Sequence, residues 1–197
     1  MRLVLASESG ARKRLLAAAG VEFATDPAGY DEAAAKRTSR ARGEDAAQCA
    51  LALATAKARA VAARHADAIV IGADQMLDCD AAWLDKPADL AAARAQLLEL
   101  RGKTHALVTA AVAVERDELL WRHVATARLV MRPFSDAFLE RYLALMGARV
   151  LATVGGYELE GLGAQLFAKI EGDYFAILGL PLLPLLAFLR AHGALPA

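Results

Sequence analysis

The 197-residue sequence lacks an excess of charge of either sign, because 23 Lys and Arg residues balance 23 Asp and Glu residues. A protein that binds nucleic acid over a broad surface needs an excess of basic residues. The balance argues against a nucleic-acid-binding protein. Any anion site in this chain must therefore be a local cluster of side chains.

Cysteine is also scarce, since the chain contains only Cys49 and Cys79. Their separation matches no metal-ligand spacing and provides no disulfide framework, which favours a reduced, intracellular protein. The four histidines share no ligand spacing either, so the sequence predicts no zinc site.

Long hydrophobic runs are missing as well. The N-terminal apolar run, residues 3–6, is far too short for the core of a signal peptide. The uncharged stretch 174–189 is shorter than the roughly 20 residues that span a membrane, and Gly179, Pro181 and Pro184 interrupt it. It predicts a buried strand, a turn and a core helix, so no membrane association is expected.

What the sequence does contain is apolar strand-like runs that alternate with helical patterns, which predict an α/β fold with a mixed sheet. The predicted strands are residues 3–6, 68–72, 104–114, 119–131 and 165–170. The predicted helices are residues 10–19, 44–64, 89–100, 136–146 and one that starts near residue 181. The polar segment 24–43 is predicted to be a loop.

A polar turn between the first strand and the first helix carries Ser7, Ser9 and Arg12. The start of a helix offers unpaired backbone N–H groups to an anion, and an arginine can bind a phosphate through two nitrogens. The alternative is that Ser9 only caps the helix while Arg12 is solvated. Spacing alone leaves both interpretations open, because this is no Walker-type or dinucleotide-type glycine loop.

Further polar residues are candidates for the same chemistry. Asp74 and Gln75 follow an apolar strand, where ligands commonly bind in open α/β sheets, although a solvated turn would look the same. Lys57 and Lys86 are suitable point charges for a polyphosphate, or ordinary surface lysines. The pair Asp31-Glu32 suits a divalent cation, which prefers oxygen ligands, or is simply two acids in a loop.

Taken in order, these segments resemble the Maf-like family of nucleoside triphosphate pyrophosphatases, from about residue 3 to residue 193. The matching segments are Leu5–Ser9 with Arg12 and Leu15-Leu16, Asp31-Glu32, Ala56–Ala58, Ile71–Gln75, Lys86-Pro87, Gly102–His105, Thr109-Ala110, Gly156-Tyr157, Glu160–Gly163, Ile170–Tyr174 and Gly179–Leu182. The resemblance implies one domain, residues 1–197, with an elongated mixed sheet flanked by helices and two lobes around a deep cleft, as in the inosine triphosphatase group. It also implies a cytoplasmic homodimer that splits a nucleoside triphosphate into monophosphate and pyrophosphate.

The resemblance also implies roles for individual residues. Asp74 corresponds to the family's general base, and Glu32, alone or with Asp74, to its ligand for magnesium, manganese or cobalt. The residues that correspond to substrate-binding positions are Ser7, Ser9, Arg12, Lys57 and Lys86. Metal binding suppresses the proton affinity of a carboxylate, so the base and ligand roles of Asp74 compete, and both stay open.

Three positions, Ala11, Gln75 and Glu160, correspond to residues associated with the choice of base. Gln75 with Glu160 resembles the branch that prefers 7-methyl-GTP, whereas the branch acting on dTTP and UTP tends to have threonine and glutamine there. Ala11 fits neither branch, and Ala152 and Thr153 replace an aspartate-lysine pair. Both substrate classes therefore remain open.

A different class of function is a regulator that binds nucleotide without turnover, given the family's link to septum formation. Asp74, Glu32, Lys57 and Lys86 are all present, which favours catalysis because binding alone could dispense with a base.

Overall fold

The strands form one mixed sheet in the computed structural model, which describes residues 1–196. The strands in that range are β1 (Arg2–Leu5), β2 (Ala24–Thr25), β3 (Ala68–Cys79), β4 (Ala82–Leu84), β5 (Thr104–Glu115), β6 (Glu118–Met131) and β7 (Phe167–Glu171). Their order is β2-β1-β3-β5-β6-β7, and β4 pairs with β3. β1 runs parallel to β2 and β3, while β3/β4 and β6/β7 are antiparallel.

Seven α-helices lie within residues 1–196. They are α1 (Gly10–Ala18), α2 (Glu32–Ala41), α3 (Ala46–Ala62), α4 (Leu90–Leu100), α5 (Asp136–Met146), α6 (Tyr174–Ile177) and α7 (Leu182–Ala191). Six of them begin at a Ser or Asp whose side chain accepts a backbone N–H of the first turn. Across the described part of the chain, no helix is both long and apolar enough to cross a membrane.

The chain divides into two compact units. The first contains Met1–Gln75, Thr109–Ala125 and the segment from Asp173 onward; the second contains Met76–Val108 and Thr126–Gly172. The long strands β3, β5 and β6 each contribute residues to both units.

The core of the first unit lies where β1 and β3 pack against α1 and α7. Leu5, Ile71, Leu185 and Leu189 are all fully buried there. The helix α3 also approaches β3 closely at Gly72, where an added Cβ would lie 2.3 Å from the carbonyl oxygen of Ala54. Only a glycine allows this approach, and α3 is the helix that carries Lys57.

In the second unit, aromatic side chains enclose His105, which is the second residue of β5. Its Nε2 lies 2.7 Å from the Tyr157 hydroxyl, and the Phe167 ring packs edge-on against Tyr157. The hydroxyl of Tyr142 donates to the carbonyl of Gly156 at 2.9 Å. His105 is therefore a structural hydrogen-bond partner, as its position at the start of a strand suggests.

The α/β class, the mixed sheet and most elements are confirmed, but three local predictions are wrong. Residues 24–43 are no simple loop, because Asp31 caps α2 within them. β3 does not end at residue 72 but continues to Cys79, so Asp74 lies inside a strand. Residues 174–177 form a helical turn instead of a strand, since Asp173 caps α6 through two backbone N–H groups.

Candidate active site

A lysine bridges two carboxylates in the first unit. The Nζ of Lys57 lies 2.6 Å from Asp74 Oδ1 and 2.6 Å from Glu32 Oε1. Lys57 is 8% exposed and Asp74 is 4% exposed, whereas nearly half of the Glu32 side chain is open to solvent. For Lys57 the alternative of a surface lysine is thus wrong, as is that of a solvated turn aspartate for Asp74, and the three groups form one charged cluster.

Each member of this cluster is placed by its own element. Lys57 projects from the buried face of α3. Asp74 lies in β3 on the same face as Met76, and Gln75 lies on the opposite face. Glu32 is the first residue of α2, directly after the cap. The cluster therefore joins residues that are far apart in the chain.

The carboxyl group of Asp74 is held in two unlike environments. Oδ1 accepts the hydrogen bond from Lys57, whereas Oδ2 is buried and has no hydrogen-bond partner. Burial raises the pKa of Asp74, although Lys57 and Arg12 act in the opposite direction. The result is a buried carboxyl group with one oxygen that has no hydrogen-bond partner and with a raised pKa.

The turn before α1 has its own hydrogen bonds. Ser9 Oγ accepts the backbone N–H of Arg12 at 3.4 Å, which makes Ser9 the helix cap. Ser7 Oγ accepts from the backbone of Ser9 at 3.2 Å and from Nη1 of Arg12 at 3.1 Å. Ser9 therefore caps α1, and its hydroxyl lies at the start of that helix beside Ser7 and Arg12.

The alternative of a solvated Arg12 is wrong, because its guanidinium is held within the protein. Its Nε donates to the carbonyl of Gly179 at 2.7 Å. Burial lowers the pKa of Arg12, while the nearby Asp74 and Glu32 carboxylates act to raise it. Arg12 thus belongs to the same electrostatic cluster as the two acids.

Gln75 lies next to Asp74 but engages other partners. Its amide nitrogen is 2.9 Å from Thr109 Oγ1 and 3.0 Å from the carbonyl oxygens of both Ala176 and Ile177. Thr109 had no role assigned from the sequence. The sequence feature that indicates a role for Thr109 is its polar side chain within an apolar strand. A buried hydroxyl of this kind requires a hydrogen-bond partner.

Three further site residues predicted from the sequence are Ala11, Lys86 and Glu160. Ala11 is half-buried in the first turn of α1, next to Arg12. Lys86 and Glu160 are exposed residues of the second unit. The first unit thus contains eight of the ten predicted site residues, namely Ser7, Ser9, Ala11, Arg12, Glu32, Lys57, Asp74 and Gln75.

The donor set suits a hard divalent cation. No group of three or more His, Cys, Asp and Glu side chains within residues 1–196 is arranged to hold a metal by itself. Magnesium is usually bound through one or two carboxylates together with substrate phosphates. Glu32 and Asp74, whose Oδ2 has no protein partner, are two such carboxylates in contact with one lysine.

The fold and these side chains define an α/β protein with a charged, anion-compatible cluster at its sheet. A family model described as Maf-like protein matches residues 2–192, and the chain belongs to this family. It is 53% identical to a nucleoside triphosphate pyrophosphatase of Granulibacter bethesdensis over 99% of both chains. It is 49% identical to a 7-methyl-GTP pyrophosphatase of Rhizobium meliloti, over 99% of this chain and 98% of that protein. A protein of the same name from Mesorhizobium japonicum is 48% identical over 98% of both chains.

Proposed function

We propose that this protein hydrolyses a nucleoside triphosphate between the α- and β-phosphates, releasing a nucleoside monophosphate and pyrophosphate. The observation that carries the proposal is the buried Asp74, which has one oxygen on Lys57 and the other without a partner. The names of the full-length relatives support the same reaction.

The cationic groups of the cluster bind the polyphosphate. Arg12 presents a guanidinium beside the start of α1, where Ser7 and Ser9 add hydroxyl groups. Lys57 contributes a second positive charge. The family resemblance adds Lys86 as a further substrate-binding residue. Phosphoryl transfer depends mainly on positioning and on neutralising charge, which these groups supply.

Asp74 acts as the general base in this proposal. The Asp74 oxygen that has no hydrogen-bond partner takes a proton from a water molecule as the water oxygen forms a bond to the α-phosphorus. The bond from that phosphorus to the bridging oxygen breaks, and pyrophosphate leaves with the electron pair. Burial raises the pKa of Asp74, which makes its carboxylate a stronger proton acceptor.

Glu32 and Asp74 are the residues that would hold a divalent cation, namely magnesium, manganese or cobalt. Such a cation, when bound, neutralises negative charge on the phosphates. Lys57 keeps the two carboxylates together through its contacts to both. One carboxylate of this pair is buried and the other is exposed, so the pair extends from the interior to solvent.

The substrate belongs to one of two classes, 7-methyl-GTP-like nucleotides or dTTP and UTP. Two relatives at 49% and 48% identity are named 7-methyl-GTP pyrophosphatases, and this chain has Gln75 and Glu160 at the positions expected to read the base. We therefore place 7-methyl-GTP first. We further propose that residues 1–197 act as one catalytic domain and that the protein is a homodimer. Its proposed location is the cytoplasm, which contains nucleoside triphosphates and keeps cysteines reduced.

The test is pyrophosphate release by the purified protein with magnesium or manganese. The panel contains 7-methyl-GTP, dTTP, UTP, 5-methyl-UTP, CTP, GTP, ATP and ITP. Asp74→Asn should keep the fold and nucleotide binding while losing ~100-fold or more in turnover, because the amide cannot accept the proton. Asp78→Asn, which removes a carboxylate from the same strand, is the matched control and should retain activity.

Two outcomes would contradict the proposal. Unchanged turnover in Asp74→Asn would remove Asp74 from the base role. No turnover of any nucleotide by the unaltered protein, with nucleotide binding still measurable, would favour the non-catalytic nucleotide-binding regulator.

A further inference from the structure

The side-chain amide of Gln75 faces the end of the short helix α6. Its Nε2 lies 3.0 Å from the carbonyl oxygens of Ala176 and Ile177. Carbonyl oxygens only accept hydrogen bonds, so the atom that faces them must be the amide nitrogen and not the amide oxygen. Gln75 therefore uses its donor group on the protein itself.

Thr109 supports the same point of α6 from the neighbouring strand. Its hydroxyl is buried, donates to the Ala176 carbonyl at 2.9 Å and lies 2.9 Å from Gln75 Nε2. The backbone N–H of Gly179 also donates to the Ala176 carbonyl, at 2.8 Å. This single oxygen thus connects Thr109 and Gln75 to Gly179.

Gly179 in turn contacts the candidate phosphate-binding arginine. Its carbonyl accepts Nε of Arg12 at 2.7 Å. Its φ of +103° strongly favours glycine, and an added Cβ would lie 3.4 Å from that same nitrogen. The turn from Ala176 to Gly179 therefore fixes one side of the guanidinium, while Ser7 accepts from Nη1 on the other.

We propose that Thr109 and Gln75 are positioning residues that orient the Arg12 guanidinium through the Ala176 carbonyl and Gly179. The proposal rests on the function above in taking Arg12 as a substrate-phosphate ligand. An arginine whose Nε is already engaged presents its two terminal nitrogens in a defined plane, which is the arrangement that a phosphate requires. Orienting it before binding reduces the entropy lost when substrate arrives.

The variant pair Thr109→Val and Thr109→Ser tests this proposal. Valine matches the shape of threonine but removes the hydroxyl, whereas serine keeps it. Thr55→Val is the matched control, because the Thr55 hydroxyl also donates to a backbone carbonyl in the first unit, that of Leu51, with no connection to Arg12. Thermal unfolding of all three variants identifies the temperature range in which each is folded.

The first measurement is the ¹H–¹⁵N signal of the Arg12 Nε–H group, assigned by its loss in Arg12→Lys. It needs neither substrate nor activity. We expect the signal to be shifted and broadened in Thr109→Val, and to match that of the unaltered protein in Thr109→Ser and Thr55→Val. An unchanged signal in folded Thr109→Val would overturn the proposal.

The second measurement is the affinity for a non-hydrolysable α,β-methylene nucleoside triphosphate. Thr109→Val should weaken it by ~10-fold, since misorienting the guanidinium costs about one good hydrogen bond. In an Arg12→Lys background the same change should have little effect, because lysine has no Nε to orient. Equal losses in both backgrounds would show that Thr109 acts independently of Arg12 and would also overturn the proposal.

These measurements separate this proposal from the proposed function. If the unaltered protein releases no pyrophosphate, the function fails, but the Nε–H signal still decides whether Thr109 orients Arg12. If pyrophosphate release is normal and the signal does not respond to Thr109→Val, only the positioning role fails.

Discussion

His105 is a buried residue whose ring has one partnered and one unpartnered nitrogen. Nε2 contacts the Tyr157 hydroxyl, whereas Nδ1 has no hydrogen-bond partner. Burial lowers the pKa of His105 from 6.5 to about 4. The native protein therefore keeps this ring neutral at a pH where the unfolded chain protonates it.

This difference predicts a loss of stability in acid. Between pH 6.5 and 4 the unfolded chain binds more protons at His105 than the native protein, so the free energy of unfolding falls as the pH falls. Over this pH range, the shift at His105 lowers the free energy of unfolding by about 3 kcal/mol. Urea unfolding at pH 7 and pH 4.5 should show a smaller difference for His105→Phe than for the unaltered protein. His192→Gln, which replaces an exposed histidine, should not reduce the difference; an equal reduction there would contradict the argument.

Glu160 is proposed to read the nucleotide base, and exchanging one of its carboxylate oxygens for an amide nitrogen tests that role. A carboxylate only accepts hydrogen bonds and suits the N–H groups on the edge of guanine, whereas an amide both donates and accepts, as pyrimidine edges do. Glu160→Gln should therefore shift the ratio of kcat/KM values from 7-methyl-GTP toward dTTP and UTP.

The specificity profile across the nucleotide panel measures this shift. Glu99→Gln makes the same exchange at an exposed position on α4 and should leave the profile unchanged. Identical profiles for Glu160→Gln and the unaltered protein would remove Glu160 from base recognition.

At the scale of elements, the packing of α3 on β3 positions the charged cluster. A Cβ at residue 72 would lie 2.3 Å from the Ala54 carbonyl oxygen and 2.8 Å from the Ala58 Cβ. Gly72→Ala must therefore push α3 away from the sheet, and overpacking of this kind costs about 1–3 kcal/mol. Because Lys57 precedes Ala58, turnover should fall together with stability.

Chemical denaturation and pyrophosphate release measure the two effects of Gly72→Ala. Gly10→Ala is the matched control for stability, since its added Cβ would meet only the flexible end of the Arg14 side chain at 3.3 Å. Wild-type stability in Gly72→Ala would show that α3 can move without cost and would contradict the argument.

The comparison of sequence and structure shows where local patterns succeed. The helices α4 and α5 were predictable because Asp89 and Ser135 cap them directly before an apolar period. The strand β3 was predicted too short because Asp74 and Gln75 interrupt its apolar run, although both lie within the strand. Their polarity is compensated by partners distant in sequence, which no local pattern reveals.

The candidate site follows the same rule. The types of residue at Arg12, Lys57 and Asp74 could be selected from the sequence, since they suit phosphate chemistry. Their burial and their mutual contacts could not, because each depends on a different element. The connection from Thr109 to Arg12 passes through backbone groups of Ala176 and Gly179. Every residue has such groups, so the sequence does not indicate which of them form hydrogen bonds.

At the scale of the whole molecule, charge is balanced overall but locally concentrated. The 23 basic and 23 acidic residues cancel, yet Arg12 and Lys57 lie together beside two carboxylates. Many surface cations are paired, as are Arg94 with Glu140 and Arg101 with Asp136. A short polyphosphate can reach a local site of this kind, whereas a long polyanion needs a continuous basic surface.

This distribution predicts discrimination between nucleotides and nucleic acids. Single- and double-stranded oligonucleotides should bind with a Kd above about 100 μM at physiological salt, the weak end of non-specific binding by nucleic-acid-binding proteins. Fluorescence anisotropy of labelled oligonucleotides measures this, with the α,β-methylene nucleotide analogue as the positive control for a competent protein. Tight oligonucleotide binding with a steep dependence on salt would mean that several phosphates are neutralised at once, which would require a basic surface outside the charged cluster and would favour a nucleic-acid-binding role.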